Sequence, residues 1–81
     1  MPLVTIYAKP GCHLCDDARE AIENLRAERD FELQEVDVTL DPVLYARYGE
    51  RIPVVALEGD ELFEYFVDTD ALRDRLDRVD A

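Results

Sequence analysis

The chain has 81 residues, 48% of them hydrophobic, with Lys+Arg 9 against Asp+Glu 20 and a net charge of −11. That length supports one small domain, so a single domain over 1–81 is expected. A surface this acidic repels phosphate, which argues against nucleic acid and anionic membranes and leaves basic or neutral partners, or plain solubility.

In chain order, Met1-Pro2-Leu3 carries no basic region and no long apolar stretch, and no run has the length of a membrane span. A cytoplasmic protein is the expectation, and in that compartment two close cysteines are catalytic or metal-binding more often than a static clip. Leu3-Val4-Thr5-Ile6-Tyr7-Ala8 has the apolar character of a buried strand. Leu14, Ala18, Ala21, Ile22 and Leu25 then mark one apolar face of a helix ending near Arg29-Asp30. Its outward face carries Arg19, Glu20, Glu23, Arg26 and Glu28, with Arg19 and Glu23 four apart.

Between strand and helix lies Lys9-Pro10-Gly11-Cys12-His13-Leu14-Cys15-Asp16-Asp17. A spacing of i and i+3 puts both sulfurs on one side of the first helical turn, within reach of a disulfide. Cys12 falls where backbone N–H groups lack intrahelical partners, and those groups and the helix dipole favour a thiolate. Cys15, one turn further in, is expected to be less exposed. Cys12 is therefore the candidate attacking thiol and Cys15 the resolving thiol.

Phe31-Glu32-Leu33-Gln34-Glu35-Val36-Asp37-Val38 alternates apolar with polar residues and predicts a strand with one buried face. Strand, helix and strand of these lengths imply a right-handed parallel crossover. Asp41-Pro42 starts a short helix through Val43, Leu44, Tyr45 and Tyr48, with Gly49 as its C-terminal cap. In Arg51-Ile52-Pro53-Val54-Val55-Ala56-Leu57 the proline opens a strand. Glu58-Gly59-Asp60-Glu61 then turns the chain into Leu62-Phe63-Glu64-Tyr65-Phe66 as a hairpin. Asp68 or Thr69 caps a last helix whose buried stripe is Leu72, Leu76 and Val79. Arg73–Asp77 and Asp74–Arg78 are opposite charges four apart on its solvent side. Asp80-Ala81 is expected to fray.

A zinc ion needs about four ligands. The chain has two cysteines and one histidine, and His13 sits between the cysteines, badly placed to join them. A metal or iron–sulfur carrier would therefore need the cysteine pairs of two chains. His13, when cationic, favours thiolate, whereas Asp16 and Asp17 oppose it. The plainer role of His13 is an exposed first-turn side chain. Lys9, the only lysine, is either a ligand clamp or a surface residue. Arg47 and Arg51 add charge near the Pro53 turn or pair with Glu50.

The element order, the C-x-x-C at the first strand–helix junction and the proline opening the third strand resemble the thioredoxin fold. The resemblance is to its minimal, glutaredoxin-like form and covers nearly the whole chain. It implies an α/β fold of type βαβαββα: a four-stranded mixed sheet with helices on both faces. Tyr7 and Lys9 match a tyrosine and lysine that precede the first cysteine in glutaredoxins, where the lysine helps bind the glutathione carboxylate. Ile52-Pro53 is similar to the family's Val-Pro. The resemblance implies a cis bond before Pro53, a backbone of Ile52 that pairs with a bound thiol peptide, and packing of Pro53 beside the cysteines.

The family's Cys-Pro-Tyr-Cys is here Cys12-His13-Leu14-Cys15, and its Gly-Gly before the last helix is replaced by Val67-Asp68-Thr69-Asp70, in which only Asp70 fits. Asp16, Asp17, Asp68 and Asp70 would then lie near an anionic ligand. The implied activity is thiol–disulfide exchange in cell redox homeostasis. Lys9, His13, Ile52, Pro53 and Asp70 are the candidate substrate-binding residues. No bound cofactor or metal is expected, and glutathione is a candidate co-substrate. The expected partners are a disulfide-containing protein or small thiol, and a reductase or glutathione as electron donor, acting on a monomer. A non-catalytic redox-fold interaction module and the metal carrier are the alternatives.

Overall fold

The computed structural model describes residues 1–79, so the expectation for Asp80-Ala81 lies outside the described residues. Strand β1 (Leu3–Ala8) leads into helix α1 (His13–Leu25), then β2 (Glu32–Asp37), a single 3₁₀ turn (Val38–Leu40), α2 (Pro42–Tyr48), β3 (Val54–Leu57), β4 (Asp60–Glu64) and α3 (Thr69–Val79). The four strands form one sheet in the order β2-β1-β3-β4. β1 and β2 run parallel, while β3 is antiparallel to both β1 and β4. This is the thioredoxin-like α/β architecture, with helices on both faces of a mixed sheet.

The apolar pattern sorts the two faces. Side chains alternate along a strand, so Val4, Ile6 and Ala8 point to one side and Thr5 and Tyr7 to the other. The first set is buried with Ala18, Ile22 and Leu25 of α1 and Leu72 and Leu76 of α3. On the opposite face Tyr7 stacks on Tyr48 of α2, centroids 4.2 Å apart and planes at 19°. β1 is thus covered on both sides, which explains its nearly continuous apolar run.

The expected one-faced strand at 31–38 needs correction. Phe31 and Leu33 occupy odd positions, whereas Val36 and Val38 occupy even ones. The apolar phase therefore slips midway, giving Phe31 to the α1 side and Val38 to the α2 side, both buried. Glu35, left on the α1 face, is taken up by Arg19. That pairing also replaces the predicted Arg19–Glu23 bridge; Glu23 pairs with Arg26 instead. A neighbouring strand outcompetes a helical neighbour because it offers both carboxylate oxygens to one guanidinium.

Helix α1 stops at Leu25 rather than near Asp30, its last carbonyls taken up by the N–H groups of Arg26 to Arg29 in tight turns. α2 starts as expected, with the Asp41 side chain accepting from the Val43 N–H at 2.9 Å. Gly49 does follow α2, but with right-handed backbone (φ −55°) rather than a left-handed cap. Its value is space: a Cβ there would come 2.5 Å from the Tyr45 carbonyl oxygen.

The hairpin turns on two residues alone, Glu58 and Gly59, both at positive φ (51° and 86°). That twist matches the right-handed twist of the strands it joins, so β4 begins at Asp60, two residues earlier than its sequence pattern indicated. The register then shifts between Val55 and Ala56, leaving Leu62 as the extra residue of a bulge. Tyr65 and Phe66 fall outside the strand. In α3, Asp68 is the cap, accepting from the Ala71 N–H at 3.1 Å. Leu72 and Leu76 are fully buried, but Val79 is 46% exposed and ends the predicted stripe one turn early. Asp74–Arg78 forms as expected. Asp77 pairs instead with Arg29, and Arg73 with Asp70 and Glu28, because α1 and α3 lie side by side.

Candidate functional site at the first helix start

The site begins with Gly11, whose φ of +75° turns the chain out of the Lys9-Pro10 loop at little steric cost. Cys12 follows with extended backbone (φ −98°, ψ 113°) and caps α1, its Sγ accepting the Cys15 N–H at 3.2 Å. A sulfur that receives a helix-start N–H is placed where negative charge is stabilised. Cys12 is half-buried, whereas Cys15 is fully buried in the core. Both are free thiols.

Burial is the chief reason that the Cys15 thiol is pushed up from 9.0 to about 11. The hydrogen bond with the Cys12 side chain adds to the rise, and the Lys9 backbone N–H and the charge of Arg19 oppose it. Cys15 therefore holds its proton in the core behind Cys12. The arrangement gives one accessible sulfur at a helix start and one protonated sulfur behind it.

Pro53 lies at the same end of the sheet. Tyr7 pairs with Val54, so one register step further sets Pro53 beside Ala8, where the Lys9–Cys12 turn leaves β1. The Ile52–Pro53 bond is cis. Pro53 is fully buried and its carbonyl accepts the Tyr65 N–H at 2.9 Å. Neither the N–H nor the carbonyl of Ile52 has a hydrogen-bond partner among the described residues.

Of the other predicted binding residues, His13 and Lys9 stand at this end, whereas Asp70 lies toward the later part of α1. His13 is exposed as the first residue of α1. Lys9 lines a charged pocket with Asp16, Arg19, Glu35 and Asp37 on the β2 side of α1. Asp70 stands on the first turn of α3, its carboxylate 2.7 Å from Arg73. Arg47 and Arg51 pair with Glu61 and Glu64 of β4 rather than Glu50, and both guanidinium groups lie over the Tyr48 ring at 5.3 Å. Burial, then the hydrogen bond to Glu61, raises the Tyr48 phenol above its ordinary range.

Two features escape a reading of the sequence. One is the Tyr7–Tyr48 stack with its cationic cover. The other is a pocket of about 120 Å³ between α1 and the turn after β4, lined by Leu14, Asp17, Ala18, Ala21, Tyr65, Phe66 and Val67. Its only sequence signal is three consecutive large apolar residues, Tyr65-Phe66-Val67, following a strand that has already ended. Among the described residues no three of His, Cys, Asp and Glu converge as a metal-binding group. No helix there is long and apolar enough to cross a membrane.

Comparison with known proteins agrees with this geometry. The solution structure of protein Ne2328 from Nitrosomonas europaea superposes with a TM-score of 0.82 at 30% identity, covering 93% of this chain and 91% of that one. The uncharacterized protein Rv0508 of Mycobacterium tuberculosis is 35% identical over 77 residues, 89% of this chain and 79% of that protein. A mutant thioredoxin from Halobacterium salinarum shares the fold alone, with a TM-score of 0.66 at 24% identity over 95% of this chain and 73% of its own. Residues 3–77 match the glutaredoxin-like domain (DUF836), and the chain, a redox-type fold with its cysteine pair at the first helix start, belongs to that family within the thioredoxin-fold proteins.

Proposed function

We propose that the protein is a thiol–disulfide oxidoreductase. The observation that carries this reading is the Cys12 sulfur at the helix cap, accepting the Cys15 N–H at 3.2 Å, with the partner thiol buried in the core.

The Cys12 thiolate attacks one sulfur of a substrate disulfide. The other substrate sulfur leaves as a thiolate and takes a proton from water, and a mixed disulfide joins Cys12 to the substrate. Cys15 then loses its proton and attacks the Cys12 sulfur. The second substrate sulfur leaves and is protonated, and Cys12–Cys15 becomes the disulfide. Two electrons have passed from the protein to the substrate, and an external thiol, either glutathione or a reductase, returns them.

The local residues support each step. While Cys12 is charged, its hydrogen bond and its field both hold the proton on Cys15. Both influences disappear once Cys12 is in the mixed disulfide, so Cys15 ionises more readily only when its attack is needed. The free N–H and carbonyl of Ile52, next to Pro53, suit pairing with an extended substrate backbone. Lys9 supplies positive charge beside the cysteine turn, and His13 stands exposed on the first turn of α1. The reading takes the protein as a cytoplasmic monomer that needs no bound cofactor.

Reduced protein should consume a model disulfide with two-electron stoichiometry. Cys12→Ser should abolish this, and Cys15→Ser should stop at a trapped mixed disulfide visible by mass spectrometry. Turnover that survives Cys12→Ser refutes the proposal.

A further inference from the structure

We infer that the pocket between α1 and the Tyr65–Val67 turn takes an apolar side chain of a basic polypeptide, which makes a cysteine-containing basic polypeptide, not glutathione, the substrate class. This inference rests on the oxidoreductase reading above.

The pocket is built from apolar surface: Leu14, Ala18 and Ala21 on one wall, Tyr65, Phe66 and Val67 on the other. Asp17 and Tyr65 are its only polar side chains, and the Tyr65 hydroxyl is already committed, donating to the Glu50 carbonyl at 3.1 Å. No side chain in the lining is left to donate a hydrogen bond to a free carboxylate. Glutathione has two carboxylates, and here it would meet Asp17 in the wall and the exposed Asp68 and Asp70 beyond it. Asp70 is neutralised in part by Arg73; Asp17 has no ion-pair partner among the described residues. On a chain of net charge −11, that rim attracts lysine and arginine and repels acids.

The far wall is held in place. Tyr65 takes a positive φ of 67°, and the Phe66 N–H bonds the Glu64 carbonyl at 2.7 Å across it, a tight γ-turn that a non-glycine residue rarely adopts. The Tyr65 N–H is tied to the Pro53 carbonyl. The turn is thereby anchored to the segment beside Cys12, and it holds Phe66 outward with 72% of its surface in water. Large apolar groups fixed outward beside a reactive sulfur mark a surface that a partner covers.

The spacing suits a peptide. From Cys12 to Asp17 and Ala18 the helix advances about 8 Å at ~1.5 Å per residue. An extended chain covers that in two or three residues at ~3.3 Å each. A substrate cysteine at Cys12, its backbone against Ile52, would thus place a side chain two residues away over the pocket.

The test uses reduced full-length protein and three synthetic peptides, each carrying its cysteine as a disulfide with thionitrobenzoate. Their sequences are Lys-Phe-Lys-Cys-Lys-Phe-Lys, the same with Ser for Phe, and the same with Asp for Lys. Attack by Cys12 on the peptide sulfur forms the protein–peptide disulfide and releases coloured thionitrobenzoate. The mixed disulfide of glutathione with thionitrobenzoate and 2-hydroxyethyl disulfide are run alongside.

The Phe/Lys peptide should react about tenfold faster than the Ser/Lys peptide, about 1.4 kcal/mol, and faster than the glutathione–thionitrobenzoate disulfide, which has the same leaving group. Its lead over the Phe/Asp peptide should shrink as salt is added. Phe66→Ser should bring the Phe-to-Ser ratio close to one. Equal rates for the Phe and Ser peptides, or faster reaction with the glutathione–thionitrobenzoate disulfide, overturn the inference while reduction of 2-hydroxyethyl disulfide leaves the oxidoreductase reading standing. Failure to reduce even 2-hydroxyethyl disulfide sinks that reading and this inference together. A concentration-dependent dimer that Phe66→Ser dissolves also overturns it, since a second copy would then own the pocket.

Discussion

Raising the pH from 8 to 11 on the reduced protein tests the buried thiol most directly. Cys15 is held from 9.0 up to about 11, first by burial and then by its hydrogen bond with Cys12. Below pH 9 its thiolate fraction is therefore about 100-fold smaller than that of the same thiol in the unfolded chain. Because the folded state binds this proton more tightly, the stabilisation is complete below pH 9, falls as pH rises and is gone above about 11. Its full size is about 3 kcal/mol, a substantial part of the stability of a domain this small. Urea unfolding of wild type and Cys15→Ala at pH 8 and 11 isolates it, because tyrosine and lysine titration is common to both. The wild type should lose about 2 kcal/mol more than the variant over that interval, the remainder going above pH 11. Alkylation of Cys15 by iodoacetamide, followed by mass spectrometry, should reach half its limiting rate near pH 11. In Cys12→Ala the half-point should drop but stay above 9, since burial remains. A half-point near 9 in the folded wild type would refute the assignment of Cys15 as a proton-holding thiol.

Three further outcomes follow from the packing. Leu72→Ala, at a fully buried position, should cost about 2–5 kcal/mol in urea melts, whereas Val79→Ala should stay within about 0.5 kcal/mol. Arg19→Gln removes the links to Glu35 and Asp16 and should lower stability by about 1 kcal/mol, less in high salt. Gly59→Val forces a branched side chain into φ +86° and should destabilise the hairpin by about 1–2 kcal/mol, measured by thermal melting.

The strand–helix order is legible in the sequence because each element carries its own local signal: the apolar run at 3–8, Asp41-Pro42, and the helical spacing of Leu72 and Leu76. The cysteine cap is legible because it depends on four consecutive residues. The cis Ile52–Pro53 bond enters only through the resemblance to glutaredoxins, and the structure has it. What stays hidden depends on neighbours distant in sequence. Arg19 chooses Glu35 across α1 and β2, and Asp77 chooses Arg29 in the turn after α1, so helix spacing alone misassigns both. The phase slip in β2 is easy to miss because an edge strand packed on two faces need not keep one. Tyr65 reads as strand because nothing local announces a non-glycine residue at positive φ.

The outermost strands, β2 and β4, leave a row of unpaired backbone groups open to water on each flank of the sheet. β2 bears Glu32 and Glu35, and β4 bears Asp60, Glu61 and Glu64. Two copies that tried to join edge to edge would press these carboxylates together. The acidic side chains that crowd both edges thus disfavour edge-to-edge joining of two such sheets.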